Sequence, residues 1–194
     1  MRQTPSQMMR LFSIIILSVA AASQCQLVDR DSPEAVREEV NRIYNETLDA
    51  MTYKLPSGIT AVTWLPPDES VRGQVQCLGT TAVPALDYLL RSNERSFGHL
   101  LAIQMLGWIG GAEIVPPLKW ALLRPGDFLI TKTAALDSLN AAPPELALPA
   151  VQQALRSEKN PHVIEKATEM VARLKNSVKN QSGDDQSGDR RDVH

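Results

Sequence analysis

Through "DSPEAVREEVNRIYNETLDAM" (31–51), apolar residues recur at three- and four-residue steps: Val36, Val40, Ile43, Tyr44, Leu48 and Met51. That spacing places them on one face of a helix. Ser32 is positioned to cap it, and Pro33 suits the first helical position, where a missing N–H costs little. Acidic residues gather early, which complements the helix dipole. The pattern breaks over "TYKLPSGITAVTWLPPD" (52–68), punctuated by Pro56, Gly58 and Pro66–Pro67. "ITAVTW" has strand composition, but a single strand has no partner. The segment is therefore expected to be an extended connector whose Trp64 and Leu65 pack on the helices that follow.

From 68 to 176 the pattern repeats. Three lines carry it: "VQCLGTTAVPALDYLLRS", "LGWIGGAEIVPPLKWALLRP" and "LNAAPPELALPAVQQALRSE". Pro84, Pro116 and Pro149 are separated by 32 and 33 residues, and Ala102, Ala135 and Ala167 by 33 and 32. Leu106, Leu139 and Val171 keep the same register. A period of this length marks stacked helical hairpins, each too small to cover its own apolar face. Within "LGWIGGAEIVPPLKWAL" (106–122), Leu106 and Ile109 close one buried face. Gly110–Gly111 permit a positive-φ helix end, and Pro116 falls in the first turn of the next helix. Val115, Leu118 and Leu122 then face inward. The last helix, "NPHVIEKATEMVARLKN" (160–176), is capped by Asn160 and Pro161. Val163, Ala167, Met170, Val171 and Leu174 form its inner face. The polar run 177–194, with "QSGD" twice, is expected to be a disordered tail.

This pattern resembles the HEAT-like repeats found in phycobilisome lyase subunits and in many bacterial scaffold proteins. Those repeats pair an Ala-rich helix ending in a Leu–Gly turn with a second helix that has "A-V-P-A-L" near its start. "TAVPAL" (81–86) and "EIVPPL" (113–118) match closely, and "LALPAV" (146–151) more loosely. The third repeat departs from the pattern at Asn140, where the turn that begins at Gly107 in the second repeat would start. The resemblance spans 68–176 and implies an all-α HEAT-like solenoid of helical hairpins. An N-terminal helix and connector (24–67) precede it and the tail follows it.

The first 23 residues read differently. Arg2 and Arg10 give a basic start, "LFSIIILSVAAA" an apolar centre and "AAS" a small-residue cleavage site. That order is expected of a secretory signal peptide over 1–23, hence of an exported protein in the periplasm or outside the cell. The chain's 20 basic and 22 acidic residues become 18 against 22 without Arg2 and Arg10. With no basic patch, nucleic acid is not an expected partner. The two cysteines, Cys25 and Cys77, leave three readings open. Cys25 can carry a lipid anchor, the two can form a disulfide, or both can be free thiols with Cys77 buried as a small hydrophobe. Membrane attachment is expected only through a lipidated Cys25 or an uncleaved leader.

The chain contains no "HExxH", no "GxSxG" and no "GxxxxGK[ST]". His99, His162 and His194 are scattered, and the cysteines form no CxxC pair. No catalytic residue, metal site or cofactor is assigned. The surface carries more information. In HEAT-like hairpins the second helices line the concave side. Alignment on the prolines makes Asp87, Lys119 and Gln152 one row, and Tyr88, Trp120 and Gln153 the next. Tyr88 and Trp120 fall outside the leucine phase, where a polar residue is usual. If exposed, they offer large contact area with few rotors, as partner surfaces require; the other reading tucks Trp120 against Trp108 or the connector. The expected function is a non-enzymatic scaffold or adaptor whose protein partner is unknown. The alternatives are an accessory or lyase-like enzyme subunit that positions a substrate, and a lipid-anchored envelope protein.

Overall fold

A computed structural model describes residues 28–54, 60–62, 69–92, 96–126 and 128–184. The described fold is helical apart from one small hairpin. Helix α1 spans Pro33–Met51, followed by strands β1 (Thr52–Lys54) and β2 (Thr60–Val62). Helices α2 (Glu69–Leu78) and α3 (Val83–Ser92) are joined by a 3-10 turn at Gly79–Ala82. Then come α4 (Ser96–Ile109), α5 (Val115–Leu123), α6 (Leu129–Ser138), α7 (Pro144–Ser157) and α8 (Pro161–Asp184). The chain divides into two compact units, one ending at Leu86 and the other starting at Asp87.

In the first unit, α1 begins as its sequence dictates. The backbone N–H of Ala35 donates to Ser32 Oγ at 3.3 Å, and Pro33 occupies the first turn. Val36, Val40, Ile43, Tyr44 and Met51 are buried, on the face that packs against α2 and its 3-10 turn. Gly79, at φ +60°, supplies the left-handed residue that ends α2. The described residues of the 52–68 segment form a hairpin rather than an extended connector. β1 and β2 pair antiparallel, Thr52 opposite Val62 and Lys54 opposite Thr60. The strand expected to be single finds its partner in the residues directly after α1, across a Pro- and Gly-containing link. Trp64 and Leu65 lie outside the described residues.

The second unit has a periodic core. Ala102, Ala135 and Ala167 are each fully buried, as are Leu106 and Leu139. Val171, in the same register, is half-buried. The helices that carry these residues pack in sequence, α4 on α6 and α6 on α8, while α5 packs on α7. α4 is apolar almost all round, with Leu100, Leu101, Ala102, Ile103, Met105 and Leu106 buried. A helix of that kind needs neighbours on several sides.

Gly107 is not a turn residue. It lies inside α4, and a Cβ there would come within 2.6 Å of Ser138 Oγ and 2.9 Å of Ser138 Cβ. The glycine lets α6 approach closely, and Ser138 Oγ donates to the Ile103 carbonyl at 3.1 Å. The helix end falls at Gly110 and Gly111, at φ +71° and +88°. Gly111 N–H donates to the Ala141 carbonyl at 3.0 Å, tying this turn to the one after α6. Asn140 sits in that second turn, a 3-10 segment over Leu139–Ala141. The register of Asn140 with Gly107 therefore pairs a turn residue with a helix-interior one.

The prolines diverge in the same way. Pro84 and Pro116 fall in the first turns of α3 and α5, whereas Pro149 is interior to α7, which starts at Pro144. Pro143–Pro144 begin the third helix early, so Pro149 leaves the Glu145 carbonyl without its helical donor. At the far end, Asn160 Oδ1 accepts from His162 N–H at 3.0 Å, the expected cap. α8 then continues to Asp184, taking in the first eight residues of the expected tail. Once a helix is nucleated, each added residue closes a further hydrogen bond, and no proline or positive-φ residue stops this one. Residues 185–194 lie outside the described residues.

Candidate functional site

The six residues singled out on the second helices all fall in the second unit. Asp87 and Tyr88 lie on α3, Lys119 and Trp120 on α5, and Gln152 and Gln153 on α7. Tyr88 is 66% exposed. Asp87, Lys119, Trp120 and Gln152 are half-buried, and Gln153 is exposed. Proline register therefore places an aromatic side chain in solvent on α3 and a half-covered one on α5.

Two arginines that the alignment did not single out organise the site. Arg91, one turn after Asp87, donates from Nε to the Asp87 carboxylate at 2.8 Å. Its guanidinium carbon lies 5.0 Å from the centre of the Trp120 ring. Arg124, one turn after Trp120, lies 5.1 Å from the same centre. Each distance is within cation–π range. Arg124 is further held by His99, whose Nε2 is 3.3 Å from Nη1. His99 itself is 4% exposed, on α4. The signal was in the sequence: Asp87–Arg91 and Trp120–Arg124 are both i,i+4 pairs, which share a helix face.

Along this face runs a groove of about 440 Å³ lined by Pro116, Lys119, Trp120, Leu123, Arg124 and Pro125. All six belong to α5 and the turn after it. Gln152 and Gln153 do not line it; their carbonyls accept from Arg156 and Ser157 on their own helix. The structure thus joins Asp87 to Trp120 through Arg91, sets Lys119 beside Trp120 in the groove and leaves the α7 pair outside. Lys119 and Arg124 have no carboxylate partner among the described residues. Another apolar surface lies at the starts of α4 and α6. There Phe97 and Ile130, one repeat apart, are exposed together with Phe128 and Leu129.

Cys77 is disulfide-bonded. That overturns the reading of Cys77 as a buried free thiol, and it is half-buried rather than enclosed. Cys25, the chain's other cysteine, lies outside the described residues, as does the leader. Arg30 Nη2 donates to Cys77 Sγ at 3.1 Å. Among the described residues no group of three or more His, Cys, Asp or Glu is arranged to hold a metal ion. No described helix is long and apolar enough to cross a membrane. Comparison with protein-family models, with curated proteins and with solved structures finds no match.

Proposed function

We propose that the chain is an exported, non-enzymatic scaffold that offers the surface around Tyr88 and Trp120 to a protein partner. The observation that carries this is a tryptophan set between two guanidiniums beside an open groove, while Tyr88 on α3 is left 66% exposed. Tyr, Trp and Arg are the residues most often found at the energetic centres of protein interfaces. The HEAT-like solenoid belongs to the same proposal. It draws support from first helices packing on first helices, second on second, and from three buried alanines at one register. Export draws support from the Cys77 disulfide, because such bonds persist mainly in oxidising compartments.

The test is a cross-linking pull-down from the native cell envelope, run beside a melting curve on the same preparation. Replacing both Tyr88 and Trp120 by Ala is expected to keep the helical signal and abolish capture of the partner. Truncating anchors of this kind costs about 2 kcal/mol or more each in binding. A folded double variant that still captures its partner refutes the assignment of this surface.

A further inference from the structure

The groove beside Trp120 has a chemistry of its own. Its floor is apolar, from Pro116, Trp120, Leu123 and Pro125, and its charged lining is cationic, from Lys119 and Arg124. Arg91 adds a third cation against the same indole, and its charge is met by Asp87. Arg124 is held on two sides, by the indole and by His99, but neither neighbour is a carboxylate. A guanidinium fixed in place with no carboxylate partner among the described residues is set up to accept one, since little side-chain freedom remains to be lost. The carbonyl end of α5 opposes this with roughly half a negative charge, which Lys119 and Arg124 together outnumber.

We infer that this groove receives an acidic segment of the partner protein. An apolar side chain would lie against Trp120 and Leu123, and an adjacent carboxylate would lie between Lys119 and Arg124. The inference rests on the protein-binding reading and adds the partner's chemistry to it. Nucleic acid is a poorer fit. Two cations, on α5 and in the turn after it, that are unpaired among the described residues fall well short of the roughly 6–10 phosphate contacts of a typical duplex binder, and the chain is net negative at −2.

The experiment uses the full chain and a fluorescein-labelled, end-blocked peptide of alternating Glu and Leu. Controls are the same peptide with Gln for Glu and a short DNA duplex. Binding is read by anisotropy, and its location by the indole N–H resonance of Trp120, assigned with Trp120→Phe. The Glu peptide is expected to bind with a Kd below about 1 mM, to shift the Trp120 resonance and to weaken as salt screens the charges. Arg124→Gln and Lys119→Gln are each expected to weaken it about five- to tenfold, as loss of a charge-assisted contact should. Lys175→Gln, on the exposed side of α8, is expected to change nothing.

Failure of the Glu peptide to bind, equal binding of the Gln peptide, or tighter binding of the duplex overturns the inference. If Arg124→Gln unfolds the protein, Lys119→Gln decides, because Lys119 makes no hydrogen bond or ion pair among the described residues. Should Trp120→Ala abolish partner capture while both charge variants keep it, the acidic chemistry falls and the protein-binding reading stands. Should Trp120→Ala keep capture, the reading itself falls.

Discussion

The two units are held together in different ways. The first relies on a covalent bond at Cys77, a two-stranded hairpin and an ion-pair cluster on α1 that reaches one residue of α2. In that cluster Arg42 grips Glu39 through two hydrogen bonds of 2.6 and 2.8 Å, reaches Glu46 at 2.7 Å and touches Gln74 at 3.3 Å. The second relies on repetition: small residues at one register let helices close up, and leucines fill what remains. A short segment with one packed helix face lacks area to bury and gains from cross-links. A repeating stack gains area with every added pair. Damage to the second unit should therefore be a matter of volume, and damage to the first a matter of connectivity.

The largest expected effect tests the volume half. Leu106 is fully buried on α4, and Leu106→Ala should cost about 2–5 kcal/mol, from lost transfer energy and the cavity left behind. Chemical denaturation measures it. A cost inside experimental error would mean that the repeating core is not what holds the second unit. Next comes connectivity. Cys77→Ser, or reduction of the disulfide, should cost about 2–4 kcal/mol. Hydrogen exchange should show the loss concentrated in α1 and α2. If protection falls equally in α4 and α6, the two units do not differ as described.

Gly107 sharpens the comparison from the opposite direction, by adding volume. Gly107→Ala puts a methyl 2.6 Å from Ser138 Oγ and 3.2 Å from Ser138 Cα. The backbone cannot yield as a side-chain end can, so this variant should lose about 1–3 kcal/mol despite alanine's better helix propensity. Gly73, on α2 of the first unit, has nothing within 4 Å of a Cβ. The same substitution there is expected to be neutral or to stabilise by up to about 1 kcal/mol. Paired melting curves of the two variants check the contrast.

Much of this architecture was legible in the chain. The limits of α1, the capping by Ser32 and Asn160, the glycine turn at 110–111 and the alanine register all follow from local periodicity and backbone stereochemistry. What escaped was decided by distant partners. Gly107 reads as half of a Leu–Gly turn until Ser138 is seen packed against it. β2 reads as a single strand because its partner sits directly against the end of a strongly periodic helix. Pro149 keeps the sequence period but not its place in the helix, since Pro143–Pro144 start α7 early. Register picked out Tyr88 and Trp120, and the structure gathers Arg91 and Arg124 around Trp120. Arg91 and Arg124 could have been found by i,i+4 spacing. His99, which holds Arg124 from another helix, could not.

The smallest expected effect concerns charge. In the first unit the Arg42 hydrogen bond holds the Glu39 carboxyl below the usual carboxylate range, against a smaller opposing effect of burial. In the second, burial would raise Glu158, but the Lys132 hydrogen bond and the N–H groups of Asn160 and Lys159 together outweigh it and the net shift is downward. A carboxyl depressed in the folded state contributes stability that is whole above its unfolded pKa, near 4.5. That contribution is lost as pH falls through the lower folded value. Both units should therefore hold their stability from neutrality to about pH 5 and lose some below pH 4.5. Salt separates them. Arg42 and Glu39 side chains are 39% and 20% exposed, against 13% and 10% for Lys132 and Glu158. Exposed pairs contribute about 0–1 kcal/mol and are screened, so high salt should flatten the acid loss from Glu39 and spare most of that from Glu158. Glu39→Gln and Glu158→Gln, each melted at pH 7 and pH 3.5 in low and high salt, give the comparison. An acid loss that Glu158→Gln leaves unchanged would show that the Lys132 pair only orients the α7–α8 turn without stabilising it.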